Sequence, residues 1–256
     1  DAIELVVEAF RSGGRMIYVG AGTSGRLGVL DAAEMPPTFG TDPEMVQGII
    51  AGGSAALVRS QEGAEDHPED GAAEIDRLGV GTKDFVMGIA TSGTTPFVHG
   101  ALARARECGA HTGFLLCTSP TPELLKAHDV VIAPLVGPEV VTGSTRMKAG
   151  TATKMVLNTI TTAAMIMTGK VFGNLMVDLQ ATCEKLEDRS ERILMTILEV
   201  DRSGATALLE AEGGRVKIAL VMERRRVGVA EAEGLLEEVG GVLARVIGSL
   251  AEDPPA

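Results

Sequence analysis

Two short segments rich in glycine and hydroxyl residues follow apolar runs of this chain. Gly20-Ala-Gly-Thr-Ser-Gly25 follows Met16–Val19, and Thr91-Ser-Gly-Thr-Thr-Pro96 follows Asp84–Ala90. Each segment leads into a helix-like stretch, where glycine lets the backbone approach an anion and free N–H groups and hydroxyls donate to it. One such turn is explained equally well as a helix N-terminus. Two turns at equivalent positions predict a phosphate site.

Nucleotide binding is disfavoured at the first turn. Gly20, Gly22 and Gly25 match the spacing of a dinucleotide fingerprint, but Thr23 and Ser24 occupy the place where a pyrophosphate needs bare backbone. An acidic ribose-binding residue at the end of a second strand is missing, and so is the lysine of a P-loop.

A third segment, Gly137–Lys148, combines hydroxyls and cations at the start of a long apolar helix expected over Thr145–Met167. Arg146 and Lys148 would lie in its first turns, where positive charge opposes the helix dipole. An anionic ligand would compensate for this conflict. The alternative is that both are ordinary surface cations.

Carboxylates at two places are candidates for proton transfer. Glu34 ends a helix-like stretch before two prolines, and Glu62 and Glu65 precede His67. The sequence pattern alone indicates that each is a solvated surface acid. It gives no reason to choose Glu34 and Glu65 as catalytic residues. His67 is close enough in sequence to Glu65 to tune it, but it is assigned no role, because most such residues are ordinary surface histidines.

Apolar runs and helix-like stretches alternate through the first 180 residues. This order is typical of a mostly parallel five-stranded sheet covered by helices on both faces, an α/β/α sandwich whose ligands bind beyond the carboxyl ends of the strands. The helices are expected over residues 2–11, 26–33, 97–108 and 145–167, and the strands near residues 16–19, 45–51, 84–90, 111–117 and 129–136. Residues 181–256 are expected to form a small helical domain.

Composition limits the classes of partner. The formal net charge is −12, and there is no Trp and one Tyr among 256 residues. An acidic chain that is poor in aromatic residues argues against nucleic acid and anionic membranes as partners. The three cysteines show no metal-ligand spacing and are read as reduced thiols. Without a leader or a membrane-spanning run, the expected location is the cytoplasm.

Several long motifs together resemble one enzyme family. They are Gly20–Gly28, Glu34-Met-Pro-Pro-Thr-Phe-Gly40, Glu62-Gly-Ala-Glu-Asp66, Gly137–Lys148 and Gly169–Asp178. This set is similar to the N-acetylmuramic acid 6-phosphate etherases of the sugar isomerase (SIS) superfamily. The resemblance covers nearly the whole chain and implies an SIS-type sandwich with a small C-terminal helical domain.

The resemblance also implies roles for residues. It makes Glu34 the proton donor and Glu65 the second acid/base residue, with no metal and no cofactor. The 6-phosphate is expected against Ser24, Ser92 and Thr95, with Thr23 nearby. From the third segment, the expected substrate contacts are Glu139, Ser144 and Lys148.

The implied reaction replaces the C3 lactyl ether of the sugar by a hydroxyl, releasing D-lactate through elimination and hydration. Other readings on this fold are a sugar-phosphate isomerase and a sugar-phosphate sensor similar to the glucokinase regulatory protein. The superfamily further implies a homodimer. Thr94 stands where the family often has Arg, and Cys183 where it has Asn. The N-terminal segment usual in the family is missing, so the natural chain is expected to begin earlier.

Overall fold

The computed structural model describes residues 1–179, 184–211 and 213–249. The chain forms two compact units. One comprises residues 1–34 and 42–164, and the other comprises residues 35–41 and the chain from residue 165 onward. The sequence-based division at residue 180 stays a prediction, and Cys183 lies outside the described residues.

A five-stranded parallel sheet forms the centre of the first unit, in the order β2-β1-β3-β4-β5. The strands are β1 (Met16–Gly20), β2 (Val46–Ile50), β3 (Phe85–Ile89), β4 (His111–Leu115) and β5 (Val130–Ile132). Every residue of the central strands β1 and β3 is buried, so helices cover both faces of the sheet. The predicted five-stranded parallel sheet is confirmed, although β5 is shorter than the apolar run around it.

Seven α-helices and one 3₁₀ turn are described around this sheet. They are α1 (Ala2–Arg11), α2 (Gly22–Phe39), α3 (Ala55–Val58), the 3₁₀ turn Ala64–Asp66, α4 (Pro68–Arg77), α5 (Pro96–Glu107), α6 (Pro122–Ala127) and α7 (Lys148–Met167). Helix α2 is longer than expected at both ends. It takes Thr23 and Ser24 into its first turn, and its last turns contain Pro36 and Pro37, which lack the N–H groups of helical hydrogen bonds.

A buried polar network joins α2 to β1 and α7. The Asp31 carboxylate accepts hydrogen bonds from Tyr18 Oη at 2.7 Å, Asn158 Nδ2 at 2.5 Å and Thr161 Oγ1 at 3.2 Å. Asp31 is only 2% exposed. Since a buried carboxylate is costly without partners, these three donors fix the position of the helix that bears the first glycine turn.

The second unit has its own apolar core, built around Leu194, Leu220 and Leu243. Its described elements are the antiparallel strands β6 (Val171–Phe172) and β7 (Leu175–Met176) and the helices α8 (Glu184–Leu198), α9 (Arg202–Ala211), α10 (Val216–Arg225), α11 (Val229–Glu238) and α12 (Leu243–Ile247). Residues 216–222 are mostly apolar, yet they form part of helix α10 and not a further strand. The β6–β7 hairpin was not expected from the sequence.

Within this unit, a buried lysine holds the chain after the hairpin. Lys217 Nζ donates to Asp178 Oδ2 at 2.7 Å and to the Gly169 carbonyl at 2.9 Å, and Lys170 Nζ lies 3.3 Å from the same Asp178 oxygen. The backbone of Asp178 packs against Gly40, where a Cβ would lie 2.1 Å from the Asp178 carbonyl oxygen. Residue 40 must therefore be glycine.

Candidate active site

The two hydroxyl-rich turns meet at one edge of the sheet. They follow β1 and β3, which are neighbouring strands, and Ser24 Oγ lies 3.5 Å from Thr91 Oγ1. Glycine is required in the first turn, since a Cβ on Gly20 would lie 2.6 Å from Gly25 N and one on Gly25 would lie 2.6 Å from Ile50 Cγ1. The structure therefore places the two predicted phosphate turns side by side.

The second turn presents its hydroxyls to solvent. Ser92 and Thr94 are exposed, and their hydroxyl oxygens lie 2.9 Å apart. Between them, Gly93 has a φ of +80°, which favours glycine. Thr95 precedes α5 in an extended conformation, and within the described part of the chain its hydroxyl makes no capping bond to that helix. These hydroxyls are available to an anion.

A histidine of α5 forms a hydrogen bond with the backbone of the same turn. His99 Nε2 lies 2.8 Å from the Gly93 carbonyl oxygen, which only accepts, so the proton is on Nε2. The His99 ring stacks on Phe114 at a centroid distance of 5.4 Å. On the same phenyl ring, at 5.4 Å, lies His128, whose Nδ1 is instead 3.1 Å from Thr112 Oγ1. Burial lowers the pKa of His128 to about 4.

Beside the first turn lies a small cleft that contains Glu65. It has a volume of about 110 Å³. Its lining comes from the β1–α2 turn, the end of β2 and the chain up to the 3₁₀ turn: Ala21, Gly22, Arg26, Ala51, Ala56, Ser60, Gln61, Glu62, Gly63, Ala64 and Glu65. The first turn and the Glu62–Glu65 motif, distant in the sequence, therefore share one cleft.

The two predicted catalytic carboxylates are placed differently. Glu65 is exposed within the 3₁₀ turn and lines the cleft, whereas Glu34 is exposed on α2 and does not line it. In the described ranges, neither carboxylate forms an ion pair. Neither carboxylate is thus committed to a salt bridge within these ranges, and their catalytic roles stay predictions.

The third segment leads into α7, which begins at Lys148, later in the chain than expected. Glu139 Oε2 accepts the Lys148 N–H and Glu139 Oε1 accepts the Ala149 N–H, both at 3.0 Å. Lys148 Nζ donates to the Pro138 carbonyl at 3.0 Å. The predicted conflict between cations and the helix dipole is therefore offset by a carboxylate of the chain itself. Substrate contacts of Glu139, Ser144 and Lys148 stay predictions.

This segment also lies beside the first turn. A Cβ on Gly150, in the first turn of α7, would lie 3.6 Å from Thr23 Cγ2. Cys117, after β4, is buried, and its thiol lies 3.8 Å from the Ala149 carbonyl oxygen. Burial raises the pKa of the Cys117 thiol. Cys117 is thus a packed thiol, as expected.

Two features of the site were missed by sequence reasoning. Arg26 lines the Glu65 cleft, and His99 holds the second turn. Each lies a few residues after a Gly/Ser/Thr turn, which is the signal that could have drawn attention to them. In the parts of the chain that the structure describes, no three His, Cys, Asp or Glu side chains form a group that could hold a metal ion, and no helix could span a membrane.

Comparison with known proteins identifies close relatives. An N-acetylmuramic acid 6-phosphate etherase of Gloeobacter violaceus is 57% identical over 242 residues, which are 94% of this chain and 79% of the relative. An N-acetylmuramic acid 6-phosphate etherase of Salinibacter ruber is 56% identical over 247 residues, covering 96% and 79%.

Two further similarities concern the sheet-containing part of the chain. Residues 1–106 match the family of the glucokinase regulatory protein N-terminal SIS domain. A solved structure from Bacteroides fragilis, described as a phosphosugar isomerase involved in capsule formation, has a TM-score of 0.50 and 20% identity over 65% of this chain and 77% of that chain. At this identity the structural similarity shows the fold alone.

Proposed function

This chain belongs to the N-acetylmuramic acid 6-phosphate etherase family, and we propose that it acts as a carbon–oxygen lyase on that sugar phosphate. The substrate and water give N-acetylglucosamine 6-phosphate and D-lactate. The observation that best supports this is the meeting of two phosphate-type turns, through Ser24 and Thr91, beside the cleft of Glu65. One edge of the sheet then offers both anion donors and a free carboxylate.

The proposed chemistry begins with opening of the sugar ring. The aldehyde freed at C1 acidifies the proton on C2. A base removes that proton, and the electron pair of the C–H bond forms a C2=C3 double bond as the C3–O bond breaks. An acid delivers its proton to the departing lactyl oxygen, and D-lactate leaves. Water then adds its hydroxyl to C3 while a proton returns to C2.

Glu34 and Glu65 are the proposed acid and base. The elimination needs one protonated and one ionised group near neutral pH, and two carboxyls in different surroundings can meet that need. Glu34 is assigned to the leaving oxygen and Glu65 to C2. Each well-placed acid or base contributes about 10²–10⁴ in rate.

The phosphate is proposed to bind the adjoining turns. Ser24, Ser92 and Thr95 would donate to its oxygens, together with backbone N–H groups at the starts of α2 and α5, and Thr23 would lie nearby. Because the phosphate is remote from C2 and C3, its binding energy holds the sugar in register without taking part in the reaction. Glu139, Ser144 and Lys148 complete the proposed contacts.

Release of D-lactate from N-acetylmuramic acid 6-phosphate is the experiment that separates this proposal from its rivals. An isomerase would convert a phosphosugar without releasing lactate, and a sensor would bind it without turnover. The names of the close relatives favour neither rival. Stoichiometric lactate and N-acetylglucosamine 6-phosphate are expected. Binding without lactate would refute the proposal.

The proposal also includes a cytoplasmic homodimer. Helix α7 exposes large apolar side chains, with Met155 57% and Ile166 52% exposed, and such a helix is suited to pairing with another subunit. The proposed location is the cytoplasm, since a phosphorylated sugar that is formed inside the cell is kept there by the charge of its phosphate. Sedimentation should give a dimer, and a fully active monomer at low concentration would contradict this part of the proposal.

A further inference from the structure

Arg26 is held through its Nε, and among the described residues no hydrogen bond is made by its terminal nitrogens. The residue lies in the second turn of α2, is half-buried and lines the cleft of Glu65. Its Nε donates to the Leu57 carbonyl oxygen at 3.1 Å. This bond fixes the direction of the guanidinium, while the N–H groups of Nη1 and Nη2 remain able to donate to a ligand.

The charges around Arg26 do not neutralise it. Glu62 and Glu65 line the same cleft, yet across residues 1–179, 184–211 and 213–249 no carboxylate forms an ion pair with Arg26. The Glu62 carboxylate instead accepts a hydrogen bond from Ser60 Oγ at 2.9 Å. In a chain of net charge −12, an oriented arginine without a carboxylate partner is suited to an anion from outside.

The proposed substrate has two anionic groups, its 6-phosphate and the carboxylate of the lactyl arm. The paired turns at Ser24 and Thr91 account for the phosphate. The cleft measures about 110 Å³, well below the roughly 300–1,000 Å³ of pockets that enclose a whole small molecule. It is therefore sized for one arm of the substrate. Arginine matches a carboxylate through two parallel N–H donors.

We propose that Arg26 binds the carboxylate of the lactyl arm and so distinguishes the substrate from its product, N-acetylglucosamine 6-phosphate. The inference rests on the proposed function and adds a specificity residue to it. Binding of the arm in this cleft brings the ether-bearing part of the sugar next to Glu65. After elimination, the product lacks the carboxylate and loses this contact, which favours its release.

The test compares two ligands that differ in the lactyl group. Arg26→Gln should lower kcat/KM for N-acetylmuramic acid 6-phosphate at least about 30-fold, because it removes one partner of a charge pair. The inhibition constant of N-acetylglucosamine 6-phosphate should change less than about two-fold. Arg26→Lys keeps the charge without the two parallel donors and should lie between. Arg59→Gln is the matched control, since Arg59 is exposed and does not line the cleft.

Two outcomes in a folded variant overturn the inference. If Arg26→Gln weakened the binding of both ligands equally, Arg26 would contact the phosphate or serve only to maintain the structure of the site. An unchanged kcat/KM would remove it from recognition. If Arg26→Gln does not fold, the test uses Arg26→Lys. That variant must then lower kcat/KM for the substrate while leaving the inhibition constant of the product nearly unchanged. Failure of the proposed function is distinguishable, because the wild-type protein would then release no lactate.

Discussion

His99 Nε2 donates to the carbonyl oxygen of Gly93 at 2.8 Å, so a residue of helix α5 fixes the turn that precedes that helix. Gly93 separates Ser92 from Thr94 and has a left-handed backbone. The histidine thereby sets the direction of the hydroxyls proposed for phosphate binding. His99 would therefore influence phosphate binding through the position of the turn, without contacting the ligand itself.

Replacing His99 should weaken phosphate binding while leaving the chemical step nearly intact. His99→Phe preserves the ring on Phe114 but loses the N–H, and a hydrogen bond of about 0.5–1.5 kcal/mol corresponds to a roughly 2- to 12-fold rise in KM. The product inhibition constant should rise in parallel, with kcat changed less than about two-fold. Steady-state kinetics with product inhibition measure all three.

Two variants make this interpretation specific. His99→Gln retains an N–H near the position of Nε2 and should restore most of the affinity. His128→Phe is the matched control, because His128 lies on the same Phe114 ring but bonds Thr112. A KM that rises equally in His99→Phe and His128→Phe would indicate a general packing defect in place of a positioning role.

Tyr18→Phe should destabilise the protein through Asp31. It removes the 2.7 Å hydrogen bond to a carboxylate that is 2% exposed, at an expected cost of about 1–3 kcal/mol in the free energy of unfolding. Denaturant unfolding measures this cost. Thr159→Val is the control, since the hydroxyl of exposed Thr159 donates to the Met155 carbonyl of its own helix, and its effect should be small.

The cost of Tyr18→Phe should depend on pH in a defined direction. Burial raises the pKa of Asp31 above its ordinary value of 3.8, while the bond from Tyr18 lowers it. Because the tyrosine stabilises the ionised carboxylate, its loss matters most above the folded pKa of Asp31. The cost should shrink as the pH is lowered through that pKa. A cost that grows in acid would contradict the assignment.

Asp178→Asn should destabilise the second unit by on the order of 3 kcal/mol, because it leaves the buried Lys217 ammonium without its main counter-charge. Burial lowers the pKa of Lys217, and Asp178 opposes that shift. In the variant the folded pKa falls further below the unfolded value, so the unfolded state binds more protons. Stability should therefore recover as the pH rises toward the ordinary lysine pKa of 10.5.

Unfolding followed at neutral and alkaline pH tests this prediction. Asp188→Asn is the control, since the partly exposed Asp188 pairs with Arg192 and Arg202 and its loss should have little effect. If the loss of unfolding free energy in Asp178→Asn were constant from neutral to alkaline pH, the charge of Lys217 would not be the cause of that loss.

Much of the fold follows from local sequence pattern. Each strand is a short apolar run, and glycines such as Gly20 and Gly25 end or follow a strand where no Cβ fits. The start of α2 was misjudged because Thr23 and Ser24 read as loop residues, although they form its first turn. The β6–β7 hairpin has strands of two residues, too short for any periodicity.

The site depended more on tertiary contacts. Ser24 and Thr91 could be brought together from strand order, because neighbouring parallel strands end at one edge. Glu139 was expected to bind substrate, and its bonds to the start of α7 depend on a loop conformation that composition does not specify. Arg26 directly follows the first turn in the sequence, but its bond to Leu57 and its place in the Glu65 cleft depend on the fold.

The catalytic claim concerns Glu34 and Glu65. Glu→Gln at either position should leave folding and sugar-phosphate binding nearly intact, since the turns hold the ligand. Turnover should fall about 10²–10⁴-fold, because a proton transfer loses its partner. Glu62→Gln is the matched control, because Glu62 is also exposed and lines the same cleft as Glu65. Its lactate release should stay close to that of the wild type.

Lactate release and exchange of the C2 proton with deuterium from solvent, followed together in Glu65→Gln, test the account most directly. The expected result is that both are lost, while Glu62→Gln retains both and Glu34→Gln retains exchange but releases little lactate. Exchange that survives in Glu65→Gln and is lost in Glu34→Gln would reverse the two roles. Full lactate release by Glu65→Gln would remove Glu65 from the mechanism and contradict the account.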